Sequence, residues 1–386
     1  MPRFERRLRI DLPPRQSAFL WGPRKTGKST YLGMSFPESL RFDLLDTDLF
    51  LELARQPSRL RQRLLATPPA ALARPIILDE VQKVPMLLDE VHWLVENRGL
   101  AFILCGSSAR KLRRGKANLL GGRAWRYELF PLTWSELEQF DLLDALNRGL
   151  LPDHYLSVDP DRSLRSYVRD YLKEEVFDEG LTRNIPAFSR FLDAVGYSHG
   201  QLTNYANIAR DCGVDAKTVK EYYQILVDTL LGTFVEPYKL RQERKVIGKA
   251  AKFYLFDVGV AGSLTKRHLK EARGDEFGKA LEHFILMELL SYRSYSGLDY
   301  DISFWRTKSG TEVDFVLGRG QVAVEVKGSS RVDSRDLFAL RSFCDTSRPR
   351  DAFLVCAETA PRVDRGIQIM PWQTFLERLW GGEVLS

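Results

Sequence analysis

Leu40–Leu45 is a strand candidate, and three short apolar runs mark the first part of the chain: Ala18–Trp21, Pro75–Glu80 and Leu100–Cys105. They are continuous rather than alternating, which predicts strands of a parallel sheet covered on both faces by helices. Between Asp141 and Arg162 the pattern weakens into LLPDHYLSVDPD, which predicts a linker. Helical spacing returns from Leu164. Residues 204–226, NYANIARDCGVDAKTVKEYYQIL, then fit a helix-turn-helix. Ile208, Ala209, Val219, Tyr223 and Leu226 face inward, Gly213 turns the chain, and Asp215 caps the second helix. Two strands are expected at Gly232–Lys239 and Ala251–Phe256, and an apolar helix at Glu276–Leu290.

The segment 310–327, GTEVDFVLGRGQVAVEVK, has a different rhythm. Val313, Phe315 and Leu317 alternate with Glu312 and Asp314, and Val322, Val324 and Val326 alternate with Glu325 and Lys327. Period two predicts a β-hairpin, and GRGQ suggests a two-residue loop at Arg319-Gly320. That register sets Asp314 opposite Glu325 and Glu312 opposite Lys327. A helix over Asp333–Cys344 and a strand at Ala352–Cys356 follow. The expected organisation is a parallel-sheet α/β domain at 1–140, a linker at 141–163, a helical and winged-helix domain at 164–260, and a small α/β domain at 261–386.

Composition changes this picture little. The chain has 386 residues, 44% hydrophobic and 28% charged, enough for two or three domains with real cores. A formal net charge of +6 is compatible with a nucleic-acid partner without requiring one. No apolar run reaches the length of a membrane span, and the N-terminus lacks the apolar stretch of a signal peptide. Cys105, Cys212, Cys344 and Cys356 are scattered, with no zinc or disulfide spacing. The expectation is a cytoplasmic protein with no membrane partner.

The strongest chemical signal is Gly22–Ser29, GPRKTGKS, a complete G-x-x-x-x-G-K-[ST] between a strand and a helix start. In that context Gly22, Pro23, Arg24, Lys25, Thr26, Gly27, Lys28, Ser29 and Thr30 form a loop whose N–H groups cradle the phosphates of ATP. Lys28 reaches the β- and γ-phosphates, and Ser29 ligates Mg²⁺. The second acid-bearing run ends in Asp79 and Glu80: Asp79 to hold Mg²⁺ through water, Glu80 to polarise the attacking water. After Leu100–Cys105, Ser107 or Ser108 would lie beside the γ-phosphate. The strand order, with a glutamate after the second acid, favours the additional-strand ATPases.

Seven basic residues and no acid lie between Arg110 and Arg126. Arg123, after Gly121-Gly122, is a candidate arginine finger acting across a subunit interface, which requires an oligomer, expected as a hexameric ring. The others suit DNA phosphates. Lys217, Thr218 and Lys220 on the second helix of the helix-turn-helix, with Arg241, Arg244, Lys245 and Lys249 in RQERKVIGK, are the candidate DNA contacts of a winged helix.

Like charges opposed on a hairpin destabilise it unless something lies between them. Helix Glu282, strand Asp314, then Glu325-x-Lys327 is the spacing of the restriction-endonuclease-like, or PD-(D/E)XK, fold. Asp314 and Glu325 are candidate Mg²⁺ ligands, Glu282 a further acid, and Lys327 the group that orients water against a phosphodiester. A cross-strand Glu312–Lys327 ion pair is the plainer reading.

The phosphate loop, PIILDEVQKVP, CGSSARKL…LLGGRAWRYELFPLTWSEL, YLKEEV, the helix-turn-helix and EVDFVL…VAVEVK occur here in an order that resembles one group. These are the prokaryotic AAA+-type ATPases whose C-terminal half was long catalogued as a domain of unknown function. The resemblance implies an AAA+ core, a winged helix, a nuclease-like C-terminal domain, and roles on duplex or branched DNA, including motors that migrate branches. It places Lys28, Ser29, Asp79, Glu80 and Arg123 at the ATPase positions and Asp314, Glu325 and Lys327 at the nuclease-like ones. Three functions remain open at this point: a DNA remodeller or translocase driven by ATP, an ATP-regulated Mg²⁺-dependent nuclease, and an ATP-controlled signalling or assembly protein without DNA.

Overall fold

The computed structural model describes residues 4–107, 120–171, 184–239 and 251–385. The chain forms two compact units: residues 8–131 with 228–231, and residues 1–7 with 132–227 and 232–386.

In the first unit, β1 (Ser17–Trp21), β2 (Arg41–Asp43), β3 (Ile76–Asp79), β4 (Phe102–Gly106) and β5 (Ala124–Glu128) form one sheet in the order β2-β3-β4-β1-β5. Every pairing is parallel. The strand β4 therefore lies between the phosphate-loop strand β1 and the acid-bearing strand β3. β1, β3 and β4 are buried along their whole length, which is why their sequences are continuous apolar runs. Around the sheet pack α1 (Lys28–Ser35), α2 (Thr47–Arg55), α3 (Ser58–Ala66) and α4 (Leu87–Arg98). Leu53, Leu60, Leu64, Leu88 and Val91 of these helices join Phe19, Leu78 and Leu104 in one apolar core.

The second unit is built on an eight-stranded sheet, order β12-β13-β11-β10-β9-β8-β6-β7. Its strands are β6 (Gly232–Pro237), β7 (Lys252–Leu255), β8 (Ile302–Arg306), β9 (Glu312–Leu317), β10 (Val322–Val326), β11 (Asp351–Cys356), β12 (Arg362–Asp364) and β13 (Ile367–Pro371). β6 runs parallel to β8, so the hairpin expected to be a wing continues the C-terminal sheet. The boundary expected at 260/261 thus falls between strands of one sheet.

The linker expected at 141–163 is helical: α5 (Leu142–Arg148), α6 (Pro152–Tyr155) and α7 (Pro160–Ser166). The residues that read as breaks are helix starts. Asp141 accepts from Asp144 N–H, Asp159 from Arg162 N–H, and Pro152 and Pro160 stand at first helical positions, where no N–H is needed. Leu146, Leu151 and His154 are buried there.

The helix-turn-helix forms as α9 (Tyr205–Cys212) and α10 (Ala216–Asp228), preceded by α8 (Ile185–Ser198). Gly213 turns at φ 67°, and Asp215 Oδ1 accepts from Thr218 N–H at 2.7 Å. Further on come α11 (Val258–Leu264), the long α12 (Asp275–Ser296), α13 (Phe338–Ser347) and α14 (Trp372–Trp380). The helix expected from Asp333 starts five residues later, after turns in which Asp333 Oδ1 accepts from Arg335 N–H.

Glu288 on α12 shows how this unit fastens its segment beginning at residue 132. Its carboxyl is fully buried and accepts from Trp134 N–H at 2.8 Å and from Trp380 Nε1–H at 2.7 Å. Burial pushes it up to about 8 despite those two bonds, with Glu136 adding to the rise. A folded-state carboxyl that keeps its proton where the unfolded chain has lost it stabilises less as pH rises toward its folded pKa. Between pH 5.5 and 7.5 the native protein is expected to lose about 2–3 kcal/mol that Glu288→Gln does not lose. Denaturation midpoints of both proteins at the two pH values give the difference directly; equal slopes would show that Glu288 is ionised in the fold.

Candidate nucleotide site and a buried acidic cluster

In the first unit the loop after β1 carries its conformational load on two residues. Lys25 has φ 65° and Gly27 φ 87°, both left-handed, the second at the N-terminus of α1. Gly22 is fixed by closeness rather than by torsion, since a Cβ there would lie 2.5 Å from Leu129 O. Lys28 is buried, and its Nζ donates to Gly22 O at 2.7 Å and Pro23 O at 2.9 Å, so the ammonium lies across the mouth of the loop. Thr26 Oγ1 donates to Pro23 O.

Ser29 Oγ donates to Asp79 Oδ2 at 2.6 Å, bringing together a helix hydroxyl and a strand-end carboxylate fifty positions apart. Asp79 is almost wholly buried. Burial pushes its carboxyl up, but the hydrogen bonds from Ser29 and the Cys105 thiol and the Arg41 guanidinium outweigh this and hold it below the ordinary range. The thiol of Cys105 is raised well above its usual value by burial and by Asp79. Glu80 stands at φ 56°, ψ 40°, a left-handed conformation costing about 1 kcal/mol for a residue with a Cβ and typical of functional sites.

Two residues of this site were not singled out in the sequence. Gln82 Nε2 donates to Glu80 Oε2 at 2.5 Å and to Ser107 Oγ at 3.1 Å, linking the two expected catalytic groups. Its signal was present in DEVQ but has no motif attached. Arg41, on β2, contacts the Asp79 carboxylate and donates from Nη1 to Ser29 O at 3.2 Å. Arg123 forms an ion pair with Glu96 of the same chain and is half-exposed. Ser108, Arg110, Lys111, Arg113, Arg114 and Lys116 lie outside the described residues.

The donor set fits a hard divalent cation: a hydroxyl and a carboxylate oxygen from separate elements, with the phosphate loop adjacent.

In the second unit the hairpin β9–β10 has the expected register, Leu317 opposite Val322 and Phe315 opposite Val324, which sets Asp314 against Glu325. The loop is longer than expected: residues 318–321 form the turn, with Gly318 at φ 63°, Gly320 at φ 83° and Gln321 N–H donating to Leu317 O. Two glycines permit the wider turn without changing the pairing.

The opposed acids are held by main-chain donors and lysines. Val326 N–H donates to Asp314 Oδ2 at 2.8 Å, Asp314 N–H to Glu325 Oε2 at 3.3 Å, and Lys327 Nζ lies 2.6 Å from Glu325 Oε1. Burial, together with Glu325 and Glu282, raises the Asp314 carboxyl well above the usual range. Burial raises Glu325 as well, against Lys327.

The expected Glu312–Lys327 pair is not the observed one. Glu312 pairs with Lys252 Nζ at 2.5 Å and Arg306 Nη1 at 2.7 Å, while Lys327 serves Glu325. Lys252 comes from β7 and is buried, so it meets Glu312 in a setting where the pair is far stronger than one in water. Its Nζ also lies 3.5 Å from Glu282 Oε1, which accepts from Tyr254 Oη at 2.5 Å. Glu282, Asp314 and Lys327 open onto a cleft of about 540 Å³ that Arg273, Lys279 and Ser329 also line. Among the described residues no group of three or more His, Cys, Asp or Glu side chains is placed to hold a metal ion.

Lys217 and Lys220 are exposed on α10 and Thr218 is half-buried; Lys220 Nζ lies 5.3 Å from the Tyr205 ring centroid. Arg241, Arg244, Lys245 and Lys249 lie outside the described residues, as does most of YLKEEV.

Residues 14–138 match a family profile described as an AAA domain. Residues 139–271 and 277–375 match two others, each described as a domain of unknown function (DUF8612 and DUF4143). The chain is 26% identical over 321 residues to uncharacterized proteins of Mycobacterium bovis and Mycobacterium tuberculosis, covering 81% of this chain and 69% of each of theirs. It is 24% identical over 276 residues to an uncharacterized protein of Haemophilus influenzae, covering 65% of this chain and 66% of that one. The AAA match and the parallel sheet around the loop support an ATPase-like domain that binds nucleotide, with ATP and a divalent metal as the cofactors such a domain uses. Among the described residues no helix is long and apolar enough to cross a membrane.

Proposed function

We propose that the protein hydrolyses ATP with Mg²⁺ in the first unit and uses the cycle to remodel or translocate on duplex or branched DNA. The observation that carries the hydrolytic part is the convergence of Lys28, Ser29, Asp79 and Glu80 at the C-terminal ends of β1 and β3. Ser29 and Asp79 hold the cation, which screens phosphate charge. Lys28 leaves its two carbonyls for the phosphates. Glu80 accepts a proton from water once Gln82 releases its carboxylate, and Ser107 sits on the other side of Gln82. Arg123 acts in a neighbouring subunit of a ring after exchanging Glu96 for the nucleotide.

Support for DNA comes from the helix-turn-helix with exposed Lys217 and Lys220 and from the basic balance of the chain. A winged-helix reading joins α9 and α10 to the β6–β7 hairpin. Turnover of ATP is expected to rise on adding a four-way DNA junction, and the stimulation to fall steeply between about 50 and 200 mM salt. Turnover indifferent to DNA at low salt would leave an ATP-controlled assembly protein as the better description.

The second reading, an ATP-regulated nuclease with a restriction-endonuclease-like fold, is favoured by one observation. Asp314, Glu282 and Lys327 reach a shared cleft, with Glu325 behind them. Two carboxylates across a hairpin are a sparse donor set for Mg²⁺. Mg²⁺-dependent shortening of strands on a denaturing gel that changes with ATP, and that Asp314→Ala abolishes while ATP turnover survives, would establish it.

A further inference from the structure

Arg41 has no place in the nucleotide chemistry above, yet it touches both residues assigned to the cation. One guanidinium nitrogen contacts Asp79 Oδ2, and Nη1 donates to the main-chain carbonyl of Ser29. Asp79 Oδ2 also accepts from Ser29 Oγ, while Oδ1 accepts from Glu80 N–H. A carboxylate oxygen has two lone pairs, and both on Oδ2 are taken. The Asp79 side chain is 2% exposed and that of Arg41 31%. A carboxylate so deeply buried demands a cation, and Arg41 supplies one from the solvent side.

We propose that Arg41 is a positioning residue that competes with Mg²⁺ for Asp79, and so sets the Mg²⁺ concentration at which the site loads. This rests on the ATP-site reading. A cation reached through Asp79 Oδ2 needs one of its two donors to withdraw. Ser29 Oγ is itself a ligand and stays within reach, so the donor that withdraws is Arg41. Its partial exposure gives it somewhere to go: the guanidinium keeps its charge in water, whereas Asp79 exchanges one positive partner for another. The exchange replaces a single positive charge with a divalent ion, and the half-saturating Mg²⁺ concentration rises in proportion as Arg41 occupies Asp79.

The test uses the full chain as wild type, Arg41→Ala and Arg41→Lys. Binding of a fluorescent ADP analogue is titrated against free Mg²⁺, and melting is followed without nucleotide in EDTA and in Mg²⁺. Half-saturation in Arg41→Ala is expected at least tenfold lower in Mg²⁺ than in wild type, with Arg41→Lys between them. Without nucleotide, Arg41→Ala is expected to melt below wild type in EDTA and to be raised by Mg²⁺ alone, while wild type moves little. An unchanged or higher Mg²⁺ requirement in Arg41→Ala, or a melting point that Mg²⁺ does not move, overturns the proposal. Loss of analogue binding in Lys28→Ala reports on the ATP site separately. If wild type binds no analogue at all, that reading fails, and the nucleotide-free melts still decide the role of Arg41.

Discussion

Lys28→Ala is expected to lower ATP turnover by about 10²–10³-fold or more, the cost of removing one preorganised donor from developing phosphate charge. The ammonium lies over the loop on two carbonyls, so alanine also leaves Gly22 O and Pro23 O without their donor. Both effects act on the phosphates, and neither touches the apolar core, whose members begin on the strands beneath. The variant should therefore melt close to wild type while losing nucleotide binding and turnover together. Glu80→Gln makes the contrast: turnover falls by a similar factor while the analogue still binds, because Glu80 acts on water rather than on nucleotide. A Lys28→Ala protein that turns over ATP at near wild-type rate would remove the first unit from the chemistry altogether.

The second large effect concerns stability. Lys252→Met is expected to destabilise the second unit by about 3 kcal/mol, the low end of what breaking a buried ion pair costs. Glu312 keeps Arg306 and Glu282 keeps Tyr254, so neither acid is wholly abandoned. Lys327→Met should cost less, since its side chain is 36% exposed against 5% for Lys252. Denaturant titrations of the two variants at pH 7.5 give the order. Equal losses would mean that Lys252 is a surface lysine in its energetics whatever its burial.

These expectations draw unevenly on sequence and structure. The phosphate loop, the strand-end acids and the Asp314–Glu325 register were legible because each is local: a contiguous motif, a run with its terminus, an alternation of period two. The ionic partners were not. Lys252 reaches Glu312 from sixty positions away by a strand pairing that periodicity does not encode, and Arg41 reaches Asp79 from a three-residue edge strand. Residues 141–163 misled for another reason. Asp and Pro serve equally as chain breakers and as the first residues of helices, and only the burial of Leu151 and His154 separates the two uses. Gln82 carried no motif, so its bridge from Glu80 to Ser107 emerged from geometry alone.

The shared sheet bears on how this protein has been inherited. The two segments of unknown function meet at residues 272–276, but β6 and β7 from one pair into the sheet that holds β8 to β13 from the other. Separated, the later segment would present β8 as a bare edge and lose the lysine that neutralises Glu312. Neither segment can be shuffled alone into a new gene without a replacement strand and a replacement cation. The pair should travel through genomes as one heritable block.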